Sequence, residues 1–226
     1  MTTIDVLRVF TDENGAFGNE LGIVESTDDT RGSEQRIAIA LGFSETVFVD
    51  GVADDRASIR IFTPADELPF AGHPSVGAAW WFARTGREVA VLVEKAGDVA
   101  VRYDGDTTWI AGRAEWAPAF AFTGFATTAE VDALDPDDYT SGMNYAHAWI
   151  DEPAGVLRSR MFGPAHNIRE DEATGAAAVA VTTRLDRDLE IRQGAGSLLF
   201  TRRGTDGVVE VGGRTVWDRR FELSAD

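Results

Sequence analysis

Short runs in which apolar residues dominate or alternate with polar ones recur along the chain and predict β-strands. In the first half, these runs occupy residues 4–10, 46–50, 57–63, 89–95, 98–104 and 107–112. In the second half, they occupy residues 143–151, 156–163, 197–203, 207–213 and 215–223. Gly, Asp and Asn separate many of the runs, which is typical of short strands joined by tight turns.

Four other segments favour helices, namely residues 33–43, 73–85, 128–134 and 174–185. Two of them are apolar almost all round, because they contain "PSVGAAWWFA" and "GAAAVAV". A helix without a polar face is buried on all sides. We therefore expect each of these two helices to lie inside a surrounding set of strands.

The two halves of the chain follow the same order. "IRIFTP" at residues 59–64 matches "SRMFGP" at residues 159–164, and each is followed by an acidic loop and a helix that opens with small residues. This order indicates a duplication. It predicts an α+β fold of two pseudo-repeated domains, residues 1–113 and 114–226, each wrapped around one buried helix. In this prediction, the last strand can pair with strands of the first half.

Composition excludes several classes of function. With a formal net charge of −17, the surface repels nucleic acids and anionic membranes. The absence of cysteine excludes disulfides, thiol nucleophiles and cysteine-based metal sites, and three separated histidines predict no metal centre. No apolar run approaches the roughly 18 residues of a membrane span, and the N-terminus has no signal-peptide pattern. These features predict a soluble cytoplasmic protein.

The loops that precede the two buried helices hold many of the chain's candidate polar residues. A helix start presents unpaired backbone N–H groups and the positive end of the helix dipole. Two such starts that face one cleft would bind a carboxylate in spite of the acidic surface. Gly72 and Gly175 stand at these starts and would let the backbone approach a ligand closely.

Glu45 stands in "GFSETVFV", where alternation places it on one face with Phe43 and Val47. It either lies just outside the strand, solvated or capping a neighbour, or points into the cleft. In the cleft, loss of water would raise the pKa of Glu45 towards neutrality, which suits a general acid/base. Two interpretations are also open for His73, which is either a core or capping residue or a contact of the substrate. Asp171 is either a partner of the helix dipole or a carrier of protons.

Four blocks give a more specific indication: "VFTDENGAFGNELGIV" (9–24), "GFSETVFV" (42–49), "IRIFTPADELPFAGHPSVGAA" (59–79) and "RMFGPAHNIREDEATGAA" (160–177). With these blocks in this order, the chain resembles the PhzF-like isomerases and epimerases of phenazine biosynthesis. The resemblance implies a diaminopimelate-epimerase-like fold with two twisted, mostly antiparallel sheets or barrels. It also implies a homodimer, a small acidic substrate, and no metal or organic cofactor.

The resemblance assigns roles to particular residues. Glu45 is implied to be the general acid/base, with His73 and Asp171 assisting. The residues implied to line the substrate are Ser44, Gly72, Thr174, Gly175 and Ala176. Diaminopimelate epimerase activity itself is excluded, because it uses two cysteines.

The chain departs from the family pattern at several positions. Glu20 and Glu172 stand where the family has Pro, Ala176 replaces a Ser that would offer a hydroxyl to the substrate, and "GAGS" (194–197) lacks the Arg of G-R-P-S. We therefore do not expect the phenazine precursor itself as substrate.

The sequence predicts an isomerase that moves a proton on a small carboxylate-containing metabolite. The alternative is a non-catalytic protein that binds small acids on the same scaffold, which the altered second-half loop motivates. A purely structural dimer module is a third possibility. The retention of Glu45, His73 and Asp171 argues against it, because a structural role would not require all three.

Overall fold

The computed structural model describes residues 1–224, in which strands predominate over helices. The strands of the first half are β1 (Thr2–Thr11), β2 (Asn19–Glu25), β3 (Glu45–Ala53), β4 (Arg56–Phe62), β5 (Glu67–Leu68), β6 (Val91–Glu94), β7 (Gly97–Asp104) and β8 (Thr107–Arg113). Those that follow are β9 (Ala121–Gly124), β10 (Asn144–Asp151), β11 (Val156–Gly163), β12 (Ile168–Asp171), β13 (Leu189–Gln193), β14 (Ser197–Arg203) and β15 (Val208–Leu223). The helices are α1 (Glu34–Leu41), α2 (Gly72–Arg84), α3 (Thr128–Asp132) and α4 (Gly175–Leu185).

The first half forms a closed barrel. Its strands follow the order β1, β2, β3, β4, β6, β7, β8 and β15, and the pairing of β15 with β1 closes the ring. Within this ring only the β2–β3 and β4–β6 pairs are parallel. Helix α2 packs against β1, β2, β3, β8 and β15. Most of its residues are buried, as its apolar sequence predicts.

The second half repeats this plan. The series β2, α1, β3, β4, β5, α2, β6, β7, β8 corresponds in order to β9, α3, β10, β11, β12, α4, β13, β14, β15. The pairings match as well, because β9–β10 and β11–β13 are parallel in the positions of β2–β3 and β4–β6. The predicted α+β fold with a duplicated sheet-and-helix unit is therefore confirmed.

Strand β15 joins the two halves. It pairs with β14 of the second half and with both β8 and β1 of the first. The predicted boundary at residue 113 falls at the end of β8, and the division into two domains stays a prediction. The largest cluster of buried apolar side chains runs through both halves, from Leu7 and Phe82 to Val179 and Leu199. Helices α2 and α4 consequently share one core.

The sequence pattern was wrong about the end of the chain. It predicts two strands, 207–213 and 215–223, whereas β15 is a single strand from Val208 to Leu223. Gly212 and Gly213 lie in mid-strand, where a side chain would collide with the rings of Trp109 and Phe10. The glycine pair therefore makes room for aromatic rings and does not form a turn.

The pattern also misses five strands, β2, β5, β9, β12 and β13. Strands β5 and β12 have two and four residues and lie in loops rich in charge, where alternation gives little signal. No helix among residues 1–224 has the length and apolarity that a membrane crossing requires.

Candidate active site

The starts of α2 and α4 touch at Gly72 and Gly175. A methyl group on Gly72 would lie 2.8 Å from the carbonyl carbon of Gly175, and one on Gly175 would lie 2.8 Å from the His73 nitrogen. Only glycine permits so close an approach of two backbones. The two helix starts therefore lie in contact with each other. The absence of a side chain at Gly72 and Gly175 makes room for the backbone of the other helix rather than for a ligand.

These helix starts hold a set of unpaired donors. At these two helix starts, five backbone N–H groups have no acceptor within residues 1–224. They belong to Gly72, His73, Gly175, Ala176 and Ala177. Residue Pro74 has no N–H, so the first turn of α2 supplies fewer donors than that of α4. Buried unpaired donors are costly. An anionic group bound between the helix starts would satisfy them.

Glu45, the first residue of β3, lies beside His73. Its Oε2 is 3.0 Å from Nδ1 of His73, and the two side chains are 13% and 3% exposed. Burial raises the pKa of Glu45, but attraction to His73, with a smaller contribution from Ser44, outweighs it and holds the pKa below 4.5. The expectation of a raised pKa for Glu45 is wrong, because it considered burial without this partner.

Two atoms of this pair lack hydrogen-bond partners. Oε2 of Glu45 is close to His73 without an aligned hydrogen bond, and Nε2 of His73 has no partner within residues 1–224. Both atoms are buried. Unpaired buried polar atoms are uncommon in native proteins and point to a group that binds there.

Asp171, the last residue of β12, has different surroundings. Its Oδ1 accepts a hydrogen bond from Nδ2 of Asn19 at 2.6 Å, and its Oδ2 accepts one from the Thr174 hydroxyl at 2.5 Å. The Thr174 hydroxyl in turn accepts from Nε2 of Gln193 at 2.8 Å. Burial, together with the charge of Glu45, raises the pKa of Asp171 to about 7. Asp171 therefore keeps its proton to a much higher pH than an ordinary aspartate does.

A cavity of about 280 Å³ lies against these groups. It is lined by Glu45, Thr63, Leu68, Pro69, Phe70, Ala71, Trp116, Ala117, Pro118, Phe120, Met143, Met161, His166, Ile168, Asp171, Thr174 and Ala176. Its wall is mostly apolar and includes the aromatic rings of Phe70, Trp116 and Phe120. Its polar groups lie mainly near the helix starts. No lysine or arginine is among the residues that line it.

The structure separates the predicted site residues into groups. Four of them line the cavity: Glu45, Asp171, Thr174 and Ala176. His73 lies against Glu45, and the two glycines form the contact between the helices. Ser44, which contributes to the lowered pKa of Glu45, lines a second opening together with Asp171, and its hydroxyl donates to Oδ1 of Asn19 at 3.2 Å.

Sequence reasoning missed two residues that hold this site. Asn19 orients Asp171, and its signal was its place in the first family block, next to Glu20. Gln193 supports Thr174 and donates to the Asp171 carbonyl at 2.9 Å, but no motif marks it. Among residues 1–224, no group of three or more His, Cys, Asp or Glu side chains is arranged to hold a metal ion.

Comparison with known sequences identifies relatives of this chain. The phenazine biosynthesis-like (PhzC-PhzF) family matches residues 7–121. The trans-2,3-dihydro-3-hydroxyanthranilate isomerase of Pseudomonas aeruginosa is 32% identical, over 78% of this chain and 77% of that protein. The isomerase of the same name from Pseudomonas chlororaphis is 33% identical, over 82% of this chain and 84% of that protein.

Solved structures share the fold. A PhzF-family protein of Enterococcus faecalis aligns over 99% of both chains with a TM-score of 0.79 and 19% identity. A protein of Pseudomonas aeruginosa that is described as a predicted epimerase aligns over 100% of both chains, with a TM-score of 0.74 and 23% identity. A probable proline racemase of Agrobacterium radiobacter has a TM-score of 0.69 at 10% identity, over 100% of this chain and 94% of that one. The family match and these relatives show that the chain belongs to the phenazine biosynthesis-like PhzC-PhzF family, which includes the two Pseudomonas isomerases.

Proposed function

We propose that the protein is a cofactor-independent isomerase that moves a proton on a small carboxylate-containing metabolite, with Glu45 as general acid/base. The observation that carries this proposal is the meeting of Glu45, His73 and Asp171 at two helix starts. There the two carboxyl groups have pKa values shifted in opposite directions. Carboxyl groups whose environments separate their pKa values are typical partners in acid/base catalysis.

The helix starts would bind the carboxylate of the substrate. The five unpaired N–H groups donate in this direction, and both helix dipoles favour negative charge there. When a proton leaves the neighbouring carbon, negative charge moves onto the substrate carboxylate. The same donors stabilise this charge without reorganising.

Glu45, which is ionised at neutral pH, would take the proton from a carbon next to the carboxylate or conjugated with it. The C–H electron pair moves into the substrate, and Glu45 becomes a carboxylic acid beside His73. Return of that proton to a different carbon gives a double-bond isomer. Delivery of a proton from the acid form of Asp171 to the opposite face gives an epimer, after which exchange with solvent restores both carboxyl groups.

The substrate we propose is a small acid with a ring or unsaturated body. The Pseudomonas relatives are named for a dihydro-hydroxyanthranilate, a ring that carries a carboxylate. The rings of Phe70, Trp116 and Phe120 suit a similarly flat body. We do not expect the same compound, because Ala176 offers a methyl group where the family offers a hydroxyl.

Hydrogen exchange tests this proposal. We would incubate the protein in heavy water with small hydroxy, amino and cyclic unsaturated acids, and follow the loss of carbon-bound hydrogen by NMR. Glu45→Gln should slow the exchange by about 10² to 10⁴-fold, the usual contribution of a general base. Glu94→Gln is the matched control, since Glu94 is a buried glutamate of the same half that does not line the cavity. Undiminished exchange in Glu45→Gln would refute the assignment.

The second candidate is a protein that binds small acids without turning them over. The loss of the family serine at Ala176 and of the late arginine favours it. It predicts that acids from the same panel raise the melting temperature while no carbon-bound hydrogen exchanges. Exchange that depends on Glu45 would eliminate this candidate.

A further inference from the structure

Two departures from the family pattern contact each other in the structure. Glu172, which stands where the family has Pro, directs its carboxylate to the "GAGS" segment 194–197. Its Oε1 accepts from the Ala195 N–H at 3.0 Å, the Gly196 N–H at 3.3 Å and the Ser197 hydroxyl at 2.8 Å. Its Oε2 accepts from the Ala195 N–H at 2.9 Å.

The "GAGS" segment is shaped for this carboxylate. Gly194 has a φ of 59°, and a side chain there would overlap the carboxylate of Glu172. The donors that converge on Glu172 are two backbone N–H groups and one hydroxyl. An ionised carboxylate, which only accepts hydrogen bonds, matches such a set of donors.

Ser197 carries the contact into the first half of the chain. Its side chain is buried, and its oxygen accepts a hydrogen bond from the backbone N–H of Gly18 at 3.0 Å. The ring of Phe17 covers Gly196, since a methyl group on that glycine would lie 2.6 Å from the ring. Loop 12–18 of the first half therefore rests on segment 194–197 of the second.

The path then returns to the active site. Asn19 follows Gly18 and donates to Oδ1 of Asp171 at 2.6 Å and to the Ala173 carbonyl at 3.2 Å. Asp171 is the neighbour of Glu172 in the chain. Asp171, Glu172, Ser197, Gly18 and Asn19 thus form a closed ring that joins the two halves, which we name the interhalf latch.

We propose that Glu172 and Ser197 are positioning residues, which act through the interhalf latch to hold Asn19 against Asp171 and keep Asp171 buried in the cavity. This inference rests on the proposed function in one respect, namely that Asp171 takes part in the reaction. A second opening of about 460 Å³, lined by Gly18, Asn19, Ser44, Asp171 and Glu172 among others, adjoins the latch. Without the latch, water would reach Asp171 from this side.

Carboxyl NMR and amide exchange test the latch without a substrate. In Glu172→Ala, all four contacts are lost, and the pKa of Asp171 should fall by at least about one unit as water reaches it. Exchange of the Gly18 amide should accelerate at least about tenfold, since local opening exposes it. Ser197→Ala should act in the same direction while leaving the bonds from Ala195 and Gly196 to Glu172 in place.

Two further variants separate positioning from simple folding. Glu172→Gln can place its amide oxygen at the Oε1 position, which makes three of the four contacts, so it should retain most of the wild-type behaviour. Glu170→Gln is the matched control, because Glu170 lies beside Asp171 on β12 but pairs with Arg160 of β11 at 2.7 Å, within the second half alone. It should leave the Asp171 titration and the Gly18 exchange unchanged.

The outcomes distinguish this inference from the proposed function. Unchanged Asp171 and Gly18 signals in Glu172→Ala and Ser197→Ala would overturn the latch, as would equal changes in Glu170→Gln. If the wild type exchanges no hydrogen with any acid, the proposed function fails, and the NMR titration still decides on the latch. If it does exchange, Glu172→Ala should lower kcat more than it raises KM.

Discussion

The starts of α2 and α4 have the same backbone plan but different chemistry. At α2, Glu45 lies 3.0 Å from His73, which keeps its pKa low despite burial. At α4, Asp171 is held by two neutral donors, Asn19 and Thr174, so burial raises its pKa to about 7. The duplicated fold therefore places one carboxyl group with a lowered pKa and one with a raised pKa at one cavity, because the two groups have different neighbours.

Gly175→Ala should break this arrangement most severely. The added methyl group would lie 2.8 Å from backbone atoms of Gly72 and His73, so the two helices must move apart. We expect a loss of roughly 1–3 kcal/mol in the free energy of unfolding, typical of overpacking, and loss of most hydrogen exchange. Urea denaturation and the heavy-water assay measure the two effects.

Gly51→Ala is the matched control for that change. Nothing lies within 4 Å of a methyl group at Gly51, and its φ is not positive. Its effect on stability should stay within about 0.5 kcal/mol. A Gly175→Ala variant as stable and active as Gly51→Ala would show that the close contact of the helices is unimportant.

Glu94 supports the α2 side and makes stability depend on pH. It lies buried on β6, with Oε1 2.6 Å from the Ser75 hydroxyl, which donates to the Ala71 carbonyl at the start of α2. Burial without a charged partner raises the pKa of Glu94 from 4.5 to about 8. The folded protein keeps a proton that the unfolded chain releases. This stabilisation is complete below pH 4.5 and is lost as the pH rises through about 8.

Glu94→Gln, which is neutral at every pH, should remove that dependence. Between pH 5 and 8, the free energy of unfolding of the wild type should fall by a few kcal/mol relative to the variant, at about 1.4 kcal/mol per pKa unit. Urea denaturation at pH 5, 6.5 and 8 measures the difference. Parallel curves for the two proteins would mean that Glu94 is ionised in the folded state.

Trp116→Ala tests the apolar wall that both helix starts share. Trp116 lies between β8 and β9, and its ring centre is 5.5 Å from that of Phe70. Its removal should raise KM for ring-bearing acids roughly tenfold, equivalent to about 1.4 kcal/mol, and should change kcat little. Trp217→Ala, at an exposed tryptophan outside this cavity, is the control. An equal loss for linear and ring-bearing acids would contradict the proposed ring contact.

Ala176→Ser should have the smallest effect and sharpen the comparison at α4. It restores the family hydroxyl at a position that lines the cavity. A new hydrogen bond is worth about 0.5–1.5 kcal/mol, so KM for hydroxylated ring acids should fall by roughly 2- to 10-fold. Ala178→Ser, on the same helix but outside the cavity, should leave KM unchanged. An unchanged preference in Ala176→Ser would place the substrate away from this residue.

The sequence predicts the fold well where the composition of a single segment is enough to show that the segment is buried. Helices α2 and α4 are apolar almost all round, which predicts two buried helices, and the matching order of segments in the two halves predicts the duplication. Strand β15 depends on where the rings of Trp109 and Phe10 lie, and those positions are not local information. Its continuity could therefore not be predicted from the Gly212–Gly213 pair.

The proximity of the candidate site residues could be predicted from the sequence, whereas their pKa shifts could not. The family blocks indicate Glu45, His73 and Asp171, and the structure places all three at the helix starts. The direction of the Glu45 pKa shift depends on its distance from His73, which no sequence spacing gives. Gln193 escapes prediction for a related reason, since it acts through Thr174.

Site-resolved carboxyl NMR of Glu45 and Asp171 between pH 3 and 9 tests the central claim most directly. We expect Glu45 to titrate below 4.5 and Asp171 to titrate near 7. Replacement of His73 by Gln should raise the pKa of Glu45, because burial then acts without a charged partner. Titration of both groups at their ordinary values, or a higher pKa for Glu45 than for Asp171, would contradict the assignment of base and acid.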